Sequence, residues 1–173
     1  MDVQIRRLEI KDAYTSVAWR NDKTVFKYTG NTYAHEVTVE SELDWIKKVL
    51  SNVNEYRCAI LADGVYVGNI YLTDITETSA AYHIFIGEKE YWGKGIGRKA
   101  SIIILNYAFK DLKVGKVTLN VNAKNVSAIR LCEKLGFKPV GVGGEKIRME
   151  CGKCDFKYLN TCLLYTSPSP ETL

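Results

Sequence analysis

The chain has 173 residues, 46% of them apolar and 25% charged, with net charge +4 and mean hydropathy −0.15. That is one domain of ordinary globular composition, long enough to bury a core without disulfide or metal staples. No apolar run nears the ~20 residues that span a bilayer, and the charged start Met1-Asp2-Val3-Gln4-Ile5-Arg6 is unlike a secretory leader. A membrane protein, a secreted mini-scaffold and a chain that is disordered tail throughout are thus excluded, and a cytoplasmic enzyme or binding domain is expected.

Alternating apolar and polar residues predict a first strand over 3–8. Residues 11–21 read as a helix with Ala13, Val17 and Ala18 on its inner side. Thr38 is expected to cap a second helix over 39–50, an acid of the first turn completing a capping box. Three strands follow over 57–61, 64–73 and 79–87, the first two joined by the hairpin signal Asp63-Gly64. A helix over 97–109, a strand over 116–122 and a helix over 126–135 closed by Gly136 come next. A last strand pair is predicted over 137–142 and from 147 onward. The order β-α-α-β-β-β-α-β-α-β-β is that of a single mixed α/β layer, without repeat or linker.

The tail reads differently. Cys162-Leu163-Leu164-Tyr165-Thr166-Ser167-Pro168-Ser169-Pro170 resembles a sequencing adapter translated as protein. The native domain is expected to occupy 1–161, with 162–173 disordered beyond the last strand.

Five cysteines include the pair Cys151-Gly152-Lys153-Cys154. A zinc site wants a second pair, and His35 and His83 are not suitably spaced, so no metal is expected. A glycine turn between strands, with reduced thiols, is the simpler reading.

Charge is unevenly spread. Residues 1–85 hold 9 Lys/Arg and 12 Asp/Glu (−3), 86–140 hold 11 and 4 (+7), and 141–173 hold 4 of each. A basic middle segment suits an anionic ligand. Nucleic acid is not expected, because no recognition motif accompanies the modest overall charge.

The chemistry concentrates in Phe85-Ile86-Gly87-Glu88-Lys89-Glu90-Tyr91-Trp92-Gly93-Lys94-Gly95-Ile96-Gly97-Arg98-Lys99-Ala100. A strand runs into a glycine loop that opens a helix, leaving main-chain amides and a positive helix end for a phosphate. Gly95 to Ala100 also fits the dinucleotide pattern GxGxxA, but the next strand ends in amides and lacks the acid that ribose recognition needs. A Walker loop is excluded, since no GK[ST] follows.

The segment Trp92-Gly93-Lys94-Gly95-Ile96-Gly97 resembles the pyrophosphate motif Q/R-x-x-G-x-G/A of the GNAT acetyltransferase superfamily. Downstream, Asn125-Val126-Ser127-Ala128-Ile129-Arg130-Leu131-Cys132-Glu133-Lys134-Leu135-Gly136-Phe137 resembles that superfamily's N-x-x-A-x-x-x-Y-x-x-x-G-F. Trp19-Arg20-Asn21-Asp22 and Tyr91-Trp92-Gly93 look like the branch that acetylates ribosomal-protein N-termini, polyamines and amino sugars. The resemblance implies a mostly antiparallel mixed sheet flanked by helices. It also implies transfer of acetyl from acetyl-CoA to a primary amine by direct attack in a ternary complex.

Residue by residue, the resemblance assigns pantetheine to the main chain of Phe85, Ile86 and Gly87. The pyrophosphate falls to Trp92, Gly93, Lys94, Gly95, Ile96, Gly97 and Arg98, with Asn125 on the pantetheine arm and Arg130 on a phosphate. Trp19, Arg20, Asn21, Phe26 and Tyr28 lie where the acceptor pocket is shaped, although Trp19 reads equally as core. Three departures stand out. Trp92 replaces Gln or Arg, Cys132 replaces the tyrosine that protonates coenzyme A thiolate, and no glutamate precedes the loop on its strand. His83 is then the candidate base and Cys132 the candidate acid, with a packed structural role open for each. An acceptor of pKa about 10.4 needs about 4.6 kcal/mol to shed its proton at pH 7, and an α-amine near 7.8 only about 1.1. A monomer or homodimer acting on a small-molecule or peptide amine is expected. A non-catalytic acyl-CoA sensor and a dinucleotide-dependent oxidoreductase are the alternatives.

Overall fold

The computed structural model describes residues 1–28 and 35–159. The predicted element order is the observed one. Seven strands, β1 (Val3–Arg7), β2 (Tyr56–Ala62), β3 (Val65–Thr73), β4 (Ser79–Ile86), β5 (Lys116–Asn122), β6 (Lys138–Gly143) and β7 (Lys146–Gly152), form one sheet in the order β1-β2-β3-β4-β5-β7-β6. Among the described residues only β4 and β5 run parallel. Four helices flank it: α1 (Ala13–Arg20), α2 (Val39–Leu50), α3 (Ile96–Asn106) and α4 (Val126–Leu135).

The main core lies between the sheet and α3 with α4, where Ile96, Ala100, Ile103, Ile104 and Leu135 meet Ile70, Leu72, Val117, Leu119 and Met149. A smaller cluster of Leu8, Ala13, Ile46 and Ala59 fixes α1 and α2 over the other face.

Several local expectations change. The reciprocal partner of Thr38 at the start of α2 is the hydroxyl of Ser41 rather than an acid. Helix α1 turns in Ala13, Ser16, Trp19 and Arg20, while Ala18 is exposed. Periodicity of apolar residues misplaced that face because Ser16 and Arg20 are drawn in by the buried carboxylate of Glu42. The predicted helix over 97–109 is α-helical only to Asn106 and widens into a π turn over Tyr107–Asp111. That extra residue per turn lets Tyr107 stack on Tyr56 while Phe109 stays buried. Cys151 is a buried residue of β7 and Cys154 lies exposed in the turn that follows, after which the described residues hold no further strand. The tail over 162–173 and the end of the predicted domain lie outside the described residues.

Candidate active site

The parallel pair β4–β5 is the feature that builds a site. It holds for three residues only, Ser79↔Lys116, Ala80↔Val117 and Ala81↔Thr118, and then ends. Both strands stay paired on their outer edges, β4 to β3 as far as Ile86 and β5 to β7 as far as Asn122. The inner edges therefore face a wedge-shaped gap with unpaired main chain, a template for a guest that hydrogen-bonds like a strand.

Which groups face the gap follows from alternation along β4. The amide of Gly87 donates to the Val67 carbonyl of β3 at 2.8 Å, so Gly87 is committed to the sheet. Phe85 opposes Asn69 and turns its main chain the same way, which directs Ile84 and Ile86 to the open side. The Ile86 carbonyl is taken by Trp92 Nε1 at 2.9 Å. Thus the three expected pantetheine contacts are not equivalent. Ile84, which the motif did not single out, and the Ile86 amide are what β4 offers.

At the wide end of the gap lies the glycine loop. Gly93 (φ 72°) and Gly95 (φ 77°) are left-handed, and a Cβ built on either would meet nothing within 4 Å. The space before the loop is open, so these glycines are set by backbone conformation and by what approaches from outside. Gly95 is the N-cap of α3 and lacks a side chain to cap it, so the amides of Ile96, Gly97 and Arg98 have no partner within the helix. This is an anion cradle made of main chain. Gly97 differs: a Cβ there would rest on Leu131 and Ile84 at 3.7 and 3.8 Å, ordinary contacts within the protein. The indole bond to Ile86 explains the unusual tryptophan at 92, which staples the loop to the end of β4. Lys94 and Arg98 are exposed beside the loop, whereas Lys99 is tied to the Met1 carbonyl at 2.9 Å.

On α4, Asn125 caps its own helix through Oδ1 to the Ala128 amide, and Arg130 is exposed. Cys132 is buried, and burial pushes its thiol up to about 12. Beside it, the Tyr82 hydroxyl bonds Ser101 Oγ, which donates to the Gly97 carbonyl at 2.6 Å. This chain of hydroxyls fastens the first turn of α3 to β4.

The opposite face of the sheet is built from side chains. Arg20 is buried against Glu42 at 3.2 Å, and Ser16 donates to the same carboxylate at 2.7 Å. The Arg20 guanidinium lies over the rings of Trp45, Phe26 and Phe85 at 4.2, 5.4 and 5.7 Å. Trp19 is buried directly under Gly87 and donates Nε1 to Glu88 at 2.8 Å. Asn21 clamps both main-chain groups of Val37. Phe26 is buried on Phe85, and Tyr28 is half-buried with Lys27 over its ring. Of the five predicted acceptor residues, Trp19, Arg20 and Phe26 therefore come together around Phe85 as a packed wall, while Asn21 is exposed on Val37 and Tyr28 lies beside Lys27.

His83 is exposed on this same face, two residues past the last β4–β5 pair. Its ring stacks on Tyr71 with centroids 4.8 Å apart, and Nε2 lies 2.9 Å from Thr73 Oγ1. Sequence reading missed Arg57, Tyr71, Thr73 and Asp74, which no motif marks and which only strand pairing brings to His83. A depression of about 300 Å³ beside them is lined by Asp74, Ser79, Lys116, Thr118, Asn120 and Arg148. Among the described residues no group of three or more His, Cys, Asp or Glu is placed to hold a metal, and no helix is long and apolar enough to cross a membrane.

Residues 2–138 match the family model described as Acetyltransferase (GNAT) domain. The chain is 30% identical over 141 residues to the spermidine N(1)-acetyltransferase of Escherichia coli K12, covering 80% of this chain and 74% of that one. It is 27% identical over 150 residues to the uncharacterized protein MJ1062 of Methanocaldococcus jannaschii, covering 82% of this chain but only 29% of that longer protein. Among solved structures, the Vibrio cholerae spermidine N-acetyltransferase in complex with CoA and spermine superimposes with a TM-score of 0.79 at 24% identity, over 89% of this chain and 97% of that one.

Proposed function

The chain belongs to the GNAT acetyltransferase family and is an acetyl-CoA-dependent N-acetyltransferase, and on that premise we propose how its residues carry the transfer and to what. The observation that carries the reading is the conjunction of a glycine loop at a helix start with a gap between parallel strands. One end holds a pyrophosphate on main-chain amides, and the other takes an amide-bearing arm along β4.

In this reading Gly93, Gly95 and the amides of Ile96, Gly97 and Arg98 bind the pyrophosphate, with Lys94, Arg98 and Arg130 adding screened charge. Ile84 and Ile86 hold the pantetheine arm, and the Asn125 amide reaches it from α4. The thioester then lies where β4 leaves β5, within reach of the face that carries His83. The acceptor nitrogen attacks the thioester carbonyl, a C–N bond forms, and the C–S bond breaks to release coenzyme A thiolate. A main-chain amide of β4 receives the oxyanion. Holding both reactants in one complex supplies several kcal/mol of the barrier reduction.

His83 takes the proton of the acceptor amine. Its pKa is lowered from the ordinary 6.5, first by lost solvation where Tyr71 covers one face of the ring and then by the Arg57 cation, which favours the neutral imidazole a base must be. Cys132 is assigned to packing, because a thiol pushed to about 12 is a poor donor to a thiolate near 8.5. Solvent then protonates the departing thiolate.

The likeness to a spermidine acetyltransferase supports a polyamine as acceptor. A specific observation favours a second acceptor, an amino sugar or other amine with an oxygen-rich or anionic body. Lys116 and Arg148 line the depression and share the single carboxylate of Glu150 at 3.4 Å each. A cytoplasmic setting is supported by the free thiols of Cys58, Cys132, Cys151 and Cys154.

The test is coenzyme A thiol release from acetyl-CoA with spermidine, N-terminal peptides and amino sugars as acceptors. Turnover with one class identifies it. Binding of acetyl-CoA without turnover on any amine would make the chain a sensor instead.

A further inference from the structure

His83 belongs to a chain of hydrogen bonds that has a direction. Thr73 Oγ1 donates to Asp74 Oδ2 at 3.3 Å, and the same oxygen lies 2.9 Å from His83 Nε2. A carboxylate only accepts, and a hydroxyl has one hydrogen. With that hydrogen on Asp74, the Thr73 oxygen must accept from Nε2–H. Nδ1 is then the ring nitrogen with the lone pair.

Two features hold the arrangement. Asp74 sits at φ 49°, in the left-handed region that Asp tolerates better than most side chains, immediately after β3 ends. Tyr71 lies nearly parallel to the imidazole, at 12°, and carries the Arg57 guanidinium over its ring at 4.2 Å. Arg57 is fixed in turn by Glu55 at 2.7 Å and by the Trp45 ring at 5.0 Å. A continuous stack therefore backs His83 on the acceptor face beside the end of the β4–β5 pairing.

We propose that Asp74 and Thr73 fix the tautomer of His83 so that Nδ1 receives the acceptor's proton, with Tyr71 and Arg57 as the positioning stack behind the ring. The inference rests on the N-acetyltransferase reading and goes beyond it by naming the accepting atom and its support. In the step, the amine N–H bond gives its proton to Nδ1 as the C–N bond forms. The thiolate leaves with the C–S pair, and the imidazolium passes its proton to solvent before the next turnover.

The charged groups facing His83 are Arg57 and Lys146, which lower its pKa, and Asp74 and Glu55, which raise it. Their signs give the test. The chain has two histidines, so ¹⁵N NMR of the full chain, with His35→Gln for assignment, reads the His83 ring directly and without substrate. The expected spectrum is the Nε2–H tautomer, titrating below 6.5. Asp74→Asn should move the midpoint down and Arg57→Met should move it up, while Thr73→Val should lose the tautomer preference and Thr73→Ser should keep it. Asp74 is exposed and Thr73 only half-buried, so their variants remain informative if Arg57→Met does not fold.

In turnover, His83→Gln should lower kcat by about 10²–10⁴-fold with KM for acetyl-CoA unchanged. Thr73→Val should cost about tenfold. An Nδ1–H tautomer, or midpoints that fail to move in opposite directions, would overturn the hydrogen-bonded chain while leaving the acetyltransferase reading intact. Wild-type kcat in His83→Gln would overturn the base. A wild-type chain that binds acetyl-CoA but acetylates no amine would instead overturn the functional reading, whatever the spectra show.

Discussion

The two faces of the sheet are made in different ways. On the α3–α4 side the candidate cofactor site is main chain: left-handed glycines, a helix start and unpaired strand edges. On the α1–α2 side the wall is side chain, with Phe26, Arg20, Trp45, Arg57, Tyr71 and His83 in successive ring and cation contacts. Main-chain recognition depends on backbone shape and so leaves a local sequence signature. Side-chain recognition assembled across strands leaves none, because its members are far apart in the chain. One face suits a ligand common to a family, and the other is free to change with the acceptor.

Substitutions separate the two faces. The largest effect on stability is expected at the Arg20–Glu42 pair. Arg20→Met leaves the buried Glu42 carboxylate without its cation while Ser16 still donates to it, and removing one partner of a buried pair costs about 3–5 kcal/mol. Denaturant unfolding should show that loss, while acetyl-CoA affinity of the folded fraction stays near wild type. Equal loss of affinity would mean that the faces are coupled.

Gly95→Val comes next. A β-branched residue at φ 77° is strained and stands at the cradle's mouth, so the acetyl-CoA Kd should rise roughly a hundredfold, or about 2.7 kcal/mol. Gly97→Ala is the contrast, since its Cβ meets only Leu131 and Ile84 at ordinary distance, and titration calorimetry should find a much smaller change.

Cys132→Ala should be smaller again, about 1–2 kcal/mol of stability from lost packing with kcat nearly unchanged. A hundredfold fall in kcat for the folded variant would make the thiol the general acid after all. The smallest effect belongs to Lys94→Ala, at most about a fivefold loss of affinity, fading in 1 M salt where the screening length is about 3 Å.

What could be read from the sequence follows the same division. The glycine loop and Gly136 as the end of α4 were legible because each is a local backbone requirement; Gly136 sits at φ 117° with a neighbouring backbone against it. The order of elements along the chain was legible from alternation and turn signals, whereas the exchange of β7 and β6 in the sheet was not. The inner face of α1 was not, because Ser16 and Arg20 point inward to Glu42, a buried acid that no apolar pattern reveals. Nor was the engagement of the Gly87 amide, which depends on Val67 across the sheet. The surroundings of His83 were invisible for the same reason: Tyr71 and Thr73 reach it through β3–β4 pairing, and Arg57 lies one strand further away.

The central claim is that main-chain groups at 93–98 and along β4 hold acetyl-CoA. Thermal unfolding of the full chain with and without acetyl-CoA, beside Gly95→Val, tests it most directly. Ligand at 100 times its Kd should stabilise the wild type by about 2.7 kcal/mol and leave the variant nearly unmoved. No stabilisation of the wild type, or equal stabilisation of both, would contradict the claim.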